Sequence, residues 1–414
     1  MDMTRTAQRV QRIYLLLTLL STLAASFIWG INTLFLLDAG LSNAQAFGAN
    51  AFFTVGEVIF EVPTGVVADT WGRRASYLLG AGTLLGSTLM YLFMWQVHAR
   101  FWGWATASVL LGLGFTFFSG ATEAWLVDAL HATGFHGNLE SVLAKGQIAS
   151  GIAMLAGSVA GGFIAQFSNL GVPYILRAIV LGLTFAAAFF FMEDLGFAPD
   201  HGKGALVEVR RLLRASLDQG WRNPPVRWLM LAAPFTMGVG IYAFYALQPY
   251  LLQLYGDQHA FGVAGLAAAI VAGAQIVAGL LAPIVHRWFR RRTHALLLAV
   301  LISCAALAFI GLAPHFWAVV GLVALLELAG AISVPMRQAY LNGVIPSAQR
   351  ATVLSFDNLM ASAGGVVVQP ALGRIADLWG YGRTYLIGAF IQAAAIPFVL
   401  LARRENVPAD LPSD

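Results

Sequence analysis

Five carboxylates stand inside stretches otherwise apolar enough to cross a lipid bilayer: Glu57, Glu61, Glu123, Glu327 and Asp357. A charge in such a place costs about 2.5–3.5 kcal/mol on an insertion scale, so it is usually paired or functional. Glu57 and Glu61 are four residues apart and share one face of a helix, with Glu57 near mid-membrane and Glu61 one turn nearer the end of the run. Two carboxylates that close do not both ionise easily, which makes the pair able to gain and lose a proton. For Glu61 a plain pairing role at the end of its run is an equal expectation. Glu327 falls near the middle of its run and is the strongest single candidate for an acid facing a cavity. Glu123 and Asp128, five apart, point to different faces; Asp357 lies under two turns into its run, where contact with its own helix N-terminus is expected. Only Arg177 and Arg337 oppose these acids inside the runs. The interior therefore favours cations, whereas those two arginines, if they faced a cavity, would favour an anion. Trp29, Trp125, Tyr242, Phe244 and Tyr245 are able to stack on a lipophilic cation, although most aromatics in such a chain pack or anchor at the interface.

The elements that must carry these groups are helices. Of 414 residues, 59% are hydrophobic and 11% charged, against roughly a quarter charged in an ordinary soluble domain. Runs of about 20 apolar residues follow one another with short polar breaks, and a backbone in lipid must satisfy itself internally. The runs are of helix length, not the ten-residue alternating strands of a membrane barrel. The expected class is an all-α polytopic membrane protein with twelve spans near 13–37, 44–68, 75–97, 103–127, 146–167, 173–192, 228–253, 262–285, 294–313, 316–339, 351–375 and 385–402. The first run is too long for a signal peptide and reads as a retained span.

Arg73, Arg74, Lys145, Arg287, Arg290, Arg291, Arg292 and Arg350 fall in alternate loops, and the opposite loops hold only Arg100, Arg374 and Arg383. That asymmetry puts both termini in the cytoplasm. It also accounts for the net charge of +4, so nucleic acid is not an expected partner. The polar stretch 193–227 divides the chain nearly in half, giving a six-helix half at 1–192, a linker at 193–227, a second half at 228–402 and a cytoplasmic tail at 403–414. Within the linker, Leu206, Val209, Leu213 and Leu217 recur at helical spacing, which predicts an amphipathic helix on the membrane surface.

A repeat supports the halves. Trp71, Arg73 and Arg74 are matched by Trp288, Arg290 and Arg291 at one constant offset, as expected of two parallel halves rocking about a central site. The stretch Gly65-Val66-Val67-Ala68-Asp69-Thr70-Trp71-Gly72-Arg73-Arg74 resembles the signature of the loop between spans two and three in the major facilitator superfamily. That resemblance implies a latch closing the cytoplasmic side in the outward-facing state, built on Gly65, Asp69, Gly72, Arg73 and Arg74, with Asp128 as partner of one of the arginines. Asp357 is grouped with this gate. Gly157-Ser158-Val159-Ala160-Gly161-Gly162 is similar to the span-five glycine motif of the family's antiporters, with serine in place of the usual proline. Tight helix packing alone is the competing expectation for Gly157, Gly161 and Gly162. Span four lacks the arginine of many proton antiporters of the family, while Glu327 to Pro335 is loosely similar to an acidic, proline-bearing span ten of drug antiporters.

The resemblance, to drug:proton antiporters in particular, implies proton-coupled efflux of lipophilic, cationic small molecules across a bacterial-type inner membrane by a monomer, with protons as coupling ion and no cofactor. Uptake of a nutrient or siderophore, or flipping of a lipid or lysolipid, is open on the same fold. An enzyme is not expected: the eight histidines show no paired metal-ligand spacing, no phosphate-cradling glycine-lysine loop occurs, and Cys304 reads as a small packed hydrophobe that forms no disulfide or thiolate cluster.

Overall fold

The computed structural model describes residues 3–119, 121–199, 220–346 and 350–411. Among them all regular structure is helical. In the first half these are α1 (Met3–Trp29), α2 (Asn32–Asp38), α3 (Asn43–Trp71), α4 (Arg73–Gln96), α5 (Phe101–Phe118), α6 (Ala121–Ala132), α7 (Leu139–Phe167) and α8 (Gly171–Phe191). The second half holds α9 (Pro224–Tyr255), α10 (Phe261–His286), α11 (Arg292–Leu312), α12 (Phe316–Val344), α13 (Arg350–Trp379), α14 (Tyr381–Ala393) and α15 (Ala395–Arg404), then a 3-10 turn at Pro408–Asp410. Twelve spans are long and apolar enough to cross a membrane, with α5 and α6 forming the fourth and α14 and α15 the twelfth. The expected amphipathic helix lies outside the described residues.

Besides the division of the twelfth span between α14 and α15, two expected spans are interrupted. The first run ends at Trp29 and continues as the short α2, with Ile31 at φ −130°, ψ 0°, outside helical geometry, between them. The fourth breaks after Phe118: Ser119 takes φ −57°, ψ 121° and α6 starts afresh at Ala121. Large apolar side chains such as Phe190, Leu280, Phe309 and Phe390 point outward, as expected of faces whose solvent is lipid.

The chain forms two compact units. One comprises Met1–Gly40, Phe52–Val207 and Ala260–Ala269; the other comprises Leu41–Ala51, Glu208–His259 and Ile270–Asp414. The first turns of α3 thus belong to the second unit and those of α10 to the first. Within the first unit α1 packs on α7 and α8, and α4 on α5 and α8. Within the second, α9 packs on α13, α14 and α15, and α11 on α12 and α14. In span numbers, one meets five and six and three meets four and six; seven meets eleven and twelve and nine meets ten and twelve.

Finer detail repeats as well. Asp194, just after the sixth span, accepts the Arg74 backbone N–H at the start of α4 at 2.8 Å. Asp410, just after the twelfth, accepts the Thr293 N–H at the start of α11 at 2.8 Å and its hydroxyl at 2.9 Å. The stretch 403–414, expected as a tail, therefore places a buried aspartate on a helix N-terminus, satisfying donors that have no partner inside the helix.

Candidate functional site

A cavity of about 510 Å³ lies inside the first unit. On α1 its lining residues are Tyr14, Thr18, Ser21, Thr22 and Ala25, which recur at three- and four-residue intervals and so share one face. Opposite stand Gln147, Ser150 and Met154 of α7. The break between α5 and α6 contributes Phe115, Phe118, Ser119, Thr122 and Glu123, and α3 contributes Glu57. Ser119, Thr122 and Glu123 are three and four residues apart and so fall on one side of the span.

The lining combines two carboxylates with a dense set of hydroxyls, one amide, three aromatic rings and a thioether. Among the described residues neither Glu57 nor Glu123 meets a cation. Ser119 donates to Glu61 Oε1 at 3.1 Å, which ties Glu61 to the cavity wall although it does not line it. The Thr22 and Ser150 hydroxyls bridge α1 to α7 at 3.2 Å. The arrangement is suited to holding a positively charged group between carboxylates while hydroxyls complete its hydrogen bonds.

Close helix approach sets the width of this cavity. Ser26 of α1 donates to the Ala153 carbonyl of α7 at 3.0 Å. A Cβ at Gly157 would collide with the Ser26 hydroxyl, and one at Gly161 with the Phe27 carbonyl. Gly162 faces the first turn of α10, where a Cβ would lie 2.7 Å from the Phe261 carbonyl. The second unit has a counterpart: a Cβ at Gly364 of α13 would strike the Pro234 carbonyl of α9. The geometry at Gly157, Gly161 and Gly162 is that of tight packing.

Several expected cavity residues are placed elsewhere. Trp125 is 1% exposed and its indole donates to the Glu193 carbonyl at 2.7 Å, so α6 turns it into the core while Glu123 faces the cavity. Tyr242 is likewise buried, donating to Thr384 at 2.7 Å. Tyr245 is half-buried with its ring edge-on to Phe244. Arg177 is buried among α1, α4 and α8: its Nε donates to Thr88 Oγ1 at 3.0 Å and Nη1 to the Ala24 carbonyl at 3.1 Å. Arg337 is ion-paired to Asp357, Nη2 to Oδ1 at 2.6 Å. Asp357 is thus neutralised by a neighbouring span and not by its own helix end, and neither arginine lines the described cavity. Glu327 lies in the second unit, where Gln275 of α10 donates to it at 3.3 Å.

At the α3–α4 loop, Arg73 Nη1 donates to Asp69 Oδ1 at 2.6 Å and its Nε lies 3.8 Å from Asp128. Arg74 instead reaches the Phe189 carbonyl at 2.6 Å. Gly65 has open space at its Cβ position. Sequence reasoning passed over the hydroxyls of α1, Ser119, Thr122 and Ser150; their recurrence at helical spacing, Thr18 to Ser21 to Thr22, was the available signal.

A family model, described as Major Facilitator Superfamily, matches residues 14–367 and 258–413. The solved structure of the nucleoside transporter NupG superposes with a TM-score of 0.75 at 11% identity, covering 97% of this chain and 99% of that one. A POT family transporter in complex with a thioalcohol-conjugated peptide gives 0.71 at 12% identity, covering 96% of each chain. A bacterial homologue of the human lysosomal transporter Spinster, in an inward-facing and unoccupied conformation, gives 0.71 at 15% identity, covering 100% of this chain and 99% of that one. At such identities the likeness is one of fold. No curated protein matches the chain significantly.

Proposed function

The chain belongs to the major facilitator superfamily, and from that premise we propose that it is a proton-coupled secondary transporter that moves a small organic cation by alternating access, in the direction of efflux. Membership places it among transporters, which are not enzymes and work without a cofactor. The observation that carries the substrate class is the pairing of Glu57 and Glu123 across a cavity where, among the described residues, neither has a cation. An uncompensated carboxylate within a span is costly; a proton or a cationic substrate each relieves it, and competition between the two is the elementary coupling step of an antiporter.

Phe115, Phe118 and Met154 offer an apolar and cation–π surface for the body of the substrate, and the hydroxyls suit an amine or polar substituents. The resemblance of Gly157 to Gly162 to the antiporter motif favours efflux. The loop arginines favour cytoplasmic termini in a bacterial-type inner membrane, and a monomer suffices for the cycle.

The test is substrate-triggered proton movement in proteoliposomes containing a pH-sensitive dye. A lipophilic amine cation should move protons opposite to itself, Glu57→Gln should abolish the proton movement, and Glu123→Gln should weaken cation binding. Proton movement that persists at full amplitude in Glu57→Gln would remove that residue from the coupling. The hydroxyl-rich lining also favours a second reading, uptake of a polar hydroxylated solute such as a nucleoside, the substrate class named for the NupG structure. Co-movement of protons with a nucleoside, and none with amines, would establish it instead.

A further inference from the structure

The signature of the α3–α4 loop occurs twice. Gly65, Ala68, Asp69, Trp71 and Gly72 are matched at identical spacing by Gly373, Ala376, Asp377, Trp379 and Gly380. The backbone repeats too: Gly72 has φ +104°, ψ 156° and Gly380 has φ +81°, ψ 166°, each immediately before the helix that follows. Both lie in the positive-φ region that favours glycine. The first copy follows the second span and the other follows the eleventh, so counting spans puts them at opposite faces of the membrane.

The copies differ at one informative position. Arg73, next after the first glycine, satisfies Asp69 within its own signature. Its equivalent is Tyr381, which does not bond Asp377 and instead donates its hydroxyl to Asn43 Oδ1. Asp377 is thereby left to accept the backbone N–H groups of Asn43 at 2.8 Å and Ala44 at 3.0 Å, both on the first turn of α3. Gly373 permits the approach, since a Cβ there would lie 2.8 Å from the Asn43 carbonyl. Asn43, Ala44, Gly373, Asp377 and Tyr381 all belong to the second unit. Asp377 is itself solvent-exposed, so water can replace it on those N–H groups, and a bond that water replaces is one that opens and closes at small cost.

We propose that the second copy is a latch on the face opposite the first: Asp377 and Tyr381 hold the first turn of α3 in the state seen here and release it in the other state of the cycle. The proposal rests on the alternating-access reading, since a static carrier needs no opposed latches.

The test uses the full chain in liposomes, with Cys304→Ser and a cysteine reporter at Ser150, labelled by a membrane-impermeant maleimide from each face. Asp377→Asn should raise labelling from the α13–α14 face about tenfold relative to the other face, the size expected when one of its two backbone hydrogen bonds and the negative charge at a helix N-terminus are lost and a two-state equilibrium shifts. Tyr381→Phe should act in the same direction more weakly, and serves if Asp377→Asn fails to fold. Asp69→Asn should shift labelling the opposite way. Hydrogen exchange over residues 41–51 should quicken in Asp377→Asn; quickening there with unchanged sidedness of labelling would mean a static cap and overturn the proposal. Labelling from one face alone in every variant, Asp69→Asn included, would count against alternating access itself.

Discussion

Arg337 and Asp357 illustrate how a membrane interior treats charge. Asp357 is 2% exposed, and the two guanidinium nitrogens it binds leave it fully compensated. Removing either partner strands the other, at a cost of about 3 kcal/mol. Arg337→Leu and Asp357→Leu should each lower the melting temperature in detergent, and the double variant should recover most of the loss; a double variant no more stable than the worse single one would show that the pair does more than neutralise itself. The charged residues inside the spans were visible in the sequence because they interrupt apolar runs. Which way they face was not, because an apolar run flanked by lipid and protein does not mark its inner side: Glu123, on a cavity, and Trp125, in a core, lie on nearly opposite sides of α6 and the sequence alone does not say which side is which. The same limit explains why Arg177 and Tyr242, read as cavity residues, are packed among neighbouring helices.

At the scale of the elements, two helix pairs are seated by single glycines. A methyl at Gly161 would meet the Phe27 carbonyl and one at Gly364 the Pro234 carbonyl, and a backbone oxygen cannot rotate out of the way. Gly161→Ala and Gly364→Ala should each cost about 1–3 kcal/mol through overpacking, read as reduced yield of monodisperse protein, whereas Gly182→Ala, with open space around its Cβ position, should be tolerated. Full yield of Gly161→Ala would mean that α1 and α7 separate more easily than their contact implies. The twelve spans were legible because each must supply enough apolar length to cross lipid. The break at Ser119 was hidden, since Phe115 to Trp125 is apolar enough to read as one helix although its backbone restarts at Ala121.

At the scale of the molecule, the repeat goes deeper than the Trp-Arg-Arg match that first suggested it. Both units use the same pattern of span contacts and both close with an aspartate on the third span, Asp194 on α4 and Asp410 on α11. Asp194→Ala and Asp410→Ala should each cost about 1 kcal/mol, with faster hydrogen exchange confined to the first turn of the capped helix; exchange that quickens across a whole unit would mean a wider role. The copy of the loop signature at Gly373 to Gly380 was equally readable in the sequence, but a search for parallel halves compares loops on the same face of the membrane and passes over one on the opposite face.

The buried Arg177 also bears on how the chain is made. Its guanidinium has partners on α1 and α4, and α8 standing alone would expose that charge to lipid. Those partners are synthesised before it. Docking of the sixth span onto helices already delivered is therefore the expected order of assembly, and its arrival completes the inner packing of α1, α4 and α8 before most of the second unit has been translated.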